Sequence, residues 1–300
     1  MNSSLTFGLK KLTTVFFFTF VLLYNICNGQ TMQKSLLWKV SGNGVKGNCY
    51  IFGTFHLGVK PNDKKTSQYD SVINLCEAFY GEMNFDSINE NNLLKHAFLK
   101  DRNLESCFMP ADYQWATKYL KDSMDIDIAD YKKFKPAFVQ TMLAAMELMK
   151  SGNMDDKSFS IDKKLFSMAK ANHKKLRGFE TDEMQAAMLF DETPVEKQAS
   201  NFVEGLKKEK EDTGMMTKLF KYYRAGDLEN LNKLANQPGV GYDMDILLDK
   251  RNKKWVEIFV DQAPNQSMFI AVGALHLPGE VGLLQLLKQK GYTVTAVILE

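Results

Sequence analysis

An α/β fold with a mixed, largely parallel central sheet is predicted by three features of this 300-residue sequence. Near-continuous apolar runs lie at opposite ends, at 48–55 (NCYIFGTF) and 266–275 (QSMFIAVGAL). Runs of that kind suit strands buried on both faces of a parallel sheet. Each is followed by a helical pattern and a further strand, giving a βαβ-like block near each end, and the region between them, about 87–265, has helical apolar spacing almost throughout.

The elements follow in order. Residues 36–40 and 48–55 read as strands joined by a turn at Val45-Lys46-Gly47, a helix runs from Pro61 to about Leu75, and 78–85 (AFYGEMNF) is the next strand. Helical spacing marks 88–99, 112–121, 136–149 and 160–172, and 175–179 is a short strand. Further helices are expected at 182–190, 194–211, 216–225, 227–236 and 242–262. After the 266–275 strand, Pro278-Gly279-Glu280 opens a helix, because proline is tolerated in a first turn. Leu283, Leu284, Leu286 and Leu287 form its apolar face, Gly291 stops it, and 292–299 (YTVTAVIL) closes the sheet with β-branched residues. No solenoid period occurs, and Gly152-Asn153 and Gln237-Pro238-Gly239 read as turns rather than linkers. The chain past residue 29 is therefore expected to be one domain, 30–300, with a large helical insertion.

Composition narrows the function. The 38 basic and 36 acidic residues leave a net charge of +2, with no stripe of lysine and arginine interleaved with aromatics, so a nucleic-acid partner is not expected. Lys10 and Lys11 precede an apolar stretch at 15–24 (VFFFTFVLLY), which falls short of the roughly 20 residues a membrane-spanning helix needs. Cys27 and Gly29 stand at −3 and −1 before Gln30, so 1–29 reads as a secretory signal peptide. The expectation is an exported protein, periplasmic or extracellular, with membrane association only through an uncleaved N-terminal segment. Ile26 before Cys27 argues against a lipoprotein cut. Cys49, Cys76 and Cys107 then remain, with no C-x-x-C spacing. Cys49 reads as a buried strand residue, and a Cys76–Cys107 pairing stays open.

Chemistry concentrates in few residues. Gly53-Thr54-Phe55-His56 and Gly273-Ala274-Leu275-His276 share a G-x-x-H pattern, each at the carboxyl end of an apolar strand. Ligands of open α/β sheets bind beyond those ends, and a histidine there can hold a metal or move a proton near neutral pH. Glu82 sits late in an apolar strand, where a charge needs a partner, and Glu180 ends the short strand before Thr181-Asp182. Two histidines with one or two glutamates form a reasonable set for Mn, Co or Zn. Asp86 is a reserve ligand, and Arg251, beside Asn252 and ahead of Trp255, holds either a site carboxylate or a surface partner. His96 and His173 lie in polar helical stretches and read as surface residues. No G-x-S-x-G elbow, Walker loop, G-x-G-x-x-G turn or H-E-x-x-H helix is present.

The segments LLWKVSGNG…CYIFGTFHLG and FIAVGALHLPGEVGLLQLLKQKGYTV resemble the opening and closing motifs of TraB/GumN proteins. Gly178, Glu180, Thr181 and Gln185 fit that family's G-x-E-T…Q segment, and YYRAGDLENL and Arg251-Asn252 also fit. The family is similar to the Tiki metalloproteases and shares a fold with erythromycin esterases and haem-binding ChaN-like proteins. The resemblance implies a paired G-x-x-H site in which His56 and His276 hold a divalent metal, with Glu82 as further ligand or general base, and Glu180 or Arg251 orienting water or stabilising charge. The expected activity is metal-dependent hydrolysis of a peptide or protein substrate. Two alternatives stay open: a metal-independent, esterase-type hydrolase, and a non-catalytic protein that sequesters a peptide signal or haem. The oligomeric state is not legible.

Overall fold

The computed structural model describes residues 32–56, 63–150, 160–212, 214–239 and 243–299, and the compact unit Lys34–Glu300 carries every element below. The expected signal peptide, and Pro61 at the start of the first helix, lie outside the described residues.

The two apolar runs form the middle of a six-stranded sheet. Strand β2 (Cys49–Thr54) and strand β5 (Met268–Gly273) are buried at every position and pair in parallel, Thr54 opposite Gly273. β3 (Ala78–Met83) lies parallel to β5 on its other side, and β4 (Lys175–Glu180) lies parallel to β3 at the edge. β1 (Leu37–Ser41) pairs antiparallel with β2, and β6 (Thr293–Val297) pairs antiparallel with β1, giving the order β4-β3-β5-β2-β1-β6. The fold is α/β, with a mixed, mostly parallel sheet. The β1–β2 turn falls earlier than the sequence suggests. Gly42, Asn43 and Gly44 carry it with positive φ, and the Val45 N–H closes it on the Gly42 carbonyl at 3.0 Å.

Eleven α-helices surround the sheet among the described residues. α1 (Asp63–Asn74) and α5 (Ile161–Ala171) cover one face. Phe52, Phe79 and Phe269 of the strands meet Ile73, Leu165 and Phe166 there. Alternation sends the neighbouring side chains to the opposite face. Tyr80 packs on Phe179, and Phe179 stacks on Trp255 of α10 (Lys250–Gln262) at 5.2 Å. α11 (Leu283–Gln289) packs beside α10.

The insertion contains α2 (Glu90–Ala97), α3 (Pro110–Met124), α4 (Pro136–Lys150), α6 (Asp182–Phe190), α7 (Val195–Glu211), α8 (Met215–Arg224) and α9 (Leu228–Ala235). It has its own core, built on Leu120, Ile128, Val139, Phe202 and Val203. It is not wholly helical, because β4 returns from it to the sheet.

Two helix boundaries differ from expectation. The 242–262 stretch opens as a π-helical turn, Asp245–Asp249, before α10. The last helix starts at Leu283 rather than Pro278. Gly279 has φ +92°, outside helical space, and Gly282 is the extended N-cap. No helix among the described residues is long and apolar enough to cross a membrane. Phe202 is 1% exposed and meets Phe108 edge-on, so Phe202→Ala should lower unfolding free energy by about 3–5 kcal/mol in urea titration. A loss below about 1 kcal/mol would show that the insertion core contributes little.

Candidate functional site

Four parallel strands aim their carboxyl ends at one rim, and each delivers a side chain of the site or its support. His56 follows β2, Glu82 lies near the end of β3, Glu180 ends β4, and His276 ends the 3-10 turn Ala274–His276 after β5. The rim opens into a cavity of about 530 Å³, with His56, Glu82, Arg251 and His276 at one side and Phe55, Met83, Phe85, Met188, Leu219 and Leu248 among its apolar walls.

Glu82, 7% exposed, is the centre. Its Oε1 accepts the Gly273 N–H at 2.8 Å and faces Nε2 of His56 at 3.3 Å and Nε2 of His276 at 3.5 Å. Its Oε2 accepts from Arg251 Nη2 at 2.7 Å and from Gln185 Nε2 at 3.0 Å. Arg251 reaches this point from the first turn of α10. Its Nε and Nη2 grip the two oxygens of Glu180, each at 2.9 Å, a bidentate pair. Nη1 donates to the Leu247 carbonyl at 2.9 Å, and the guanidinium lies 4.6 Å from the Trp255 ring centre.

The two imidazoles are held alike. His276 donates from Nδ1 to Asn252 Oδ1 at 2.7 Å, and Asn252 is anchored by the Val281 carbonyl at 2.9 Å. Arg251 Nη1 can only donate, so the contact at 3.1 Å makes Nε2 of His276 the acceptor and assigns the Nδ1–H tautomer. Trp255 packs on the His276 ring at 4.4 Å and donates its indole N–H to Glu180 at 3.1 Å. His56, half-exposed, has Nδ1 at 3.3 Å from Asp162 Oδ2, and the other oxygen of Asp162 accepts from the Thr54 hydroxyl at 2.5 Å.

Burial and charge set the protonation states. Burial drives the His276 pKa down to about 3, with the Arg251 guanidinium and His56 adding to the fall against Glu82, so this imidazole is neutral. Desolvation pulls His56 down too, but Glu82 and Asp162 on its two nitrogens lift it well above its ordinary value. Desolvation raises Glu82, and His56, His276 and Arg251 overcome that and hold it well below the usual carboxylate range.

Of the residues expected from the sequence, His56, Glu82, Arg251 and His276 meet. Glu180 stands behind Arg251 with both oxygens occupied and does not line the cavity. Asp86 is exposed, paired with Lys170 at 2.6 Å, and does not line the cavity. His173 is exposed as expected, whereas His96 is not a free surface residue. Its side chain is only 13% exposed and is held between Glu183 and Asp191. Cys49, Cys76 and Cys107 are all buried and free. Among the described residues no group of three His, Cys, Asp or Glu stands as a ready metal cage.

Asp162 and Thr54 went unread. Thr54 is the second residue of the G-x-x-H pattern itself, and Asp162 carries no local signal beyond its place in a helical first turn.

Fold and site define an α/β protein whose His–Glu–Arg centre lies at the carboxyl rim of its parallel strands. The chain matches the TraB/PrgY/gumN family model over residues 36–296 and belongs to that family. No curated protein and no solved structure matches it.

Gly273 allows the closure. A Cβ there would stand 2.9 Å from His56 Nε2 and 3.3 Å from Glu82 Oε1. Gly273→Ala should therefore push His56 off Glu82, and its pKa, followed by NMR titration, should fall toward the ordinary histidine value. An unchanged titration would show that Glu82 does not hold the ring. The depressed His276 pKa makes a second test. Between about pH 3 and its ordinary value of 6.5 the unfolded chain takes up a proton that the folded chain refuses. That contribution to stability is present above 6.5 and is lost as pH falls, by up to about 1.4 kcal/mol per pH unit. Stability should thus fall more steeply with acid in wild type than in His276→Gln, and equal slopes would mean that His276 titrates normally.

Proposed function

We propose that this chain is an exported metal-dependent hydrolase acting on peptide bonds. The observation that carries the reading is the convergence of His56 Nε2, His276 Nε2 and Glu82 Oε1 at one point of the cavity rim, with both Nδ1 atoms tied outward. Metal-binding histidines characteristically donate their second ring nitrogen to a fixed acceptor. Ligands about 2.1 Å from a tetrahedral ion stand about 3.4 Å apart, and the separations from Glu82 Oε1 here are 3.3 and 3.5 Å. Charge supports the same reading. Glu82 and Glu180 share the one guanidinium of Arg251 while Glu82 and Asp162 flank His56, so a cation that displaces the extra proton of His56 keeps the carboxylates compensated. One feature must give way: the Nε2 lone pair of His276 accepts from Arg251, and that hydrogen bond and a ligand bond exclude each other.

His56, His276 and Glu82 would hold the ion, of the Mn, Co or Zn class. A bound divalent ion supplies a water of lowered pKa and polarises a carbonyl. Glu82 Oε1 is the carboxylate oxygen nearest the two inward nitrogens, which fits it for ligation or for accepting a proton. Arg251 donates to Glu82 and Glu180 fixes Arg251, so Glu180 acts as an anchor rather than as the group that orients water. The apolar walls exclude water from the reacting bond and seat the flanking substrate. The N-terminal signal-type segment at 1–29 is the basis for export.

The test is cleavage of a broad peptide and ester panel by the purified chain, with and without Mn, Co and Zn, beside metal analysis. Peptide cleavage should appear only with metal, and His56→Ala and His276→Ala should each lower kcat/KM by about 10²–10⁴. Hydrolysis that survives exhaustive chelation would transfer the reaction to the protein's own acid–base groups. A stable complex with a ligand of unchanged mass would make the protein a binder.

A further inference from the structure

We propose that Asp162 is a positioning residue for His56, clamped by Thr54, and that it turns the His56 Nε2 lone pair into the site. The inference rests on the hydrolase reading only for its effect on turnover. Thr54 ends β2 and His56 follows two residues later, and Asp162 bridges them. Oδ1 takes the Thr54 hydroxyl at 2.5 Å, and Oδ2 faces His56 Nδ1 at 3.3 Å. Thr54 is 1% exposed and Asp162 is 7% exposed, so the contact between them is no surface accident. Asp162 stands in the first turn of α5, where Ser160 caps the Lys163 N–H at 3.3 Å and the helix terminus favours a carboxylate.

The need for a clamp follows from exposure. His276 is enclosed by Trp255, Asn252 and Arg251, whereas the His56 side chain is 56% exposed and faces Glu82 and Asp162. Packing against Trp255 reinforces the Asn252 bond in holding His276, and the more exposed His56 depends on its bond to Asp162. A hydroxyl can donate to one carboxylate oxygen and leave the second as a pure acceptor, so the Thr54 contact orients Asp162 for an Nδ1–H. A purely structural Asp162, serving only the helix terminus and Thr54, would leave the His56 tautomer unaffected.

Asp162→Asn separates the two roles. If Thr54 keeps its bond to the amide oxygen, the amide nitrogen faces His56 and donates to Nδ1, which moves the ring proton to Nε2 and removes the inward lone pair. Imidazole ¹⁵N spectra of the full chain, taken above the pH at which His56 gives up its second proton and assigned with His56→Gln, should change from the Nδ1–H to the Nε2–H pattern. Zinc affinity, measured by chelator competition, and kcat should each fall about 10–100-fold, with KM nearly unchanged. Thr54→Val should give a smaller loss in the same direction, and Asp162→Glu should restore part of it. A folded Asp162→Asn chain with the wild-type ¹⁵N pattern and zinc affinity overturns the proposal. If that variant fails to fold, wild-type behaviour of Thr54→Val on both readouts does the same. A changed tautomer and weakened zinc binding in a chain that hydrolyses nothing would uphold the clamp and remove the hydrolase reading alone.

Discussion

The ionised carboxylate of Glu82, buried at the end of a central strand, is the constraint to which the rest of the site answers. Removing such a charge from water costs several kcal/mol unless partners restore what hydration supplied. Five groups surround it: the Gly273 N–H, the Arg251 guanidinium, the Gln185 amide and two imidazoles. Each needs its own support. Arg251 is oriented by Glu180, Glu180 by Trp255, and His276 by Asn252. Removing Arg251 would leave two buried carboxylates uncompensated, and removing a neutral donor would weaken the solvation of Glu82, which is why the network reads as a unit rather than as separate ion pairs.

The parallel sheet makes this convergence possible. Strands β2, β5, β3 and β4 run the same way and lie side by side, so residues far apart in sequence end at one rim. Glycine at the register position between them completes the approach. Gly273 sits opposite Thr54, and its missing side chain is the space in which His56 and Glu82 meet. The glycine of the second G-x-x-H pattern thus serves close packing of the site, not a sharp turn, for its φ is −50°.

Much of this was legible in the residues. The buried strands announced themselves by unbroken apolar runs, and a strand-end histidine after each marked the site. Glu82 was visible because an acid in AFYGEMNF demands a partner. Arg251 was ambiguous, since helical spacing could not say whether its face met the sheet or solvent; the Phe179–Trp255 stack decides it. Asp162 was illegible for a plainer reason. Its partners lie more than 100 positions away in the chain, and an acid in a first helical turn has a sufficient local explanation. His96 misled in the opposite direction, because a polar helical neighbourhood hid two carboxylates contributed by α6 and the residue after it.

The helical insertion therefore has a chemical as well as a structural part. The terminal blocks supply His56, Glu82 and His276, which without other groups would place one buried carboxylate between two imidazoles. Glu180 comes from β4, Gln185 from α6, Asp162 from α5, and Arg251, Asn252 and Trp255 from α10. Each lies within the stretch the sequence assigns to the insertion, so the protonation states of the site are set by segments other than those that carry its motif. The neutral His276 shows the consequence. Its depressed pKa follows from burial under α10 and from the Arg251 charge, and both would vanish if that helix moved. A chain that kept both G-x-x-H patterns but lost the docking of α10 would retain the motif without the electrostatics described here, so a motif match identifies this arrangement only where the insertion packs against the sheet as it does here.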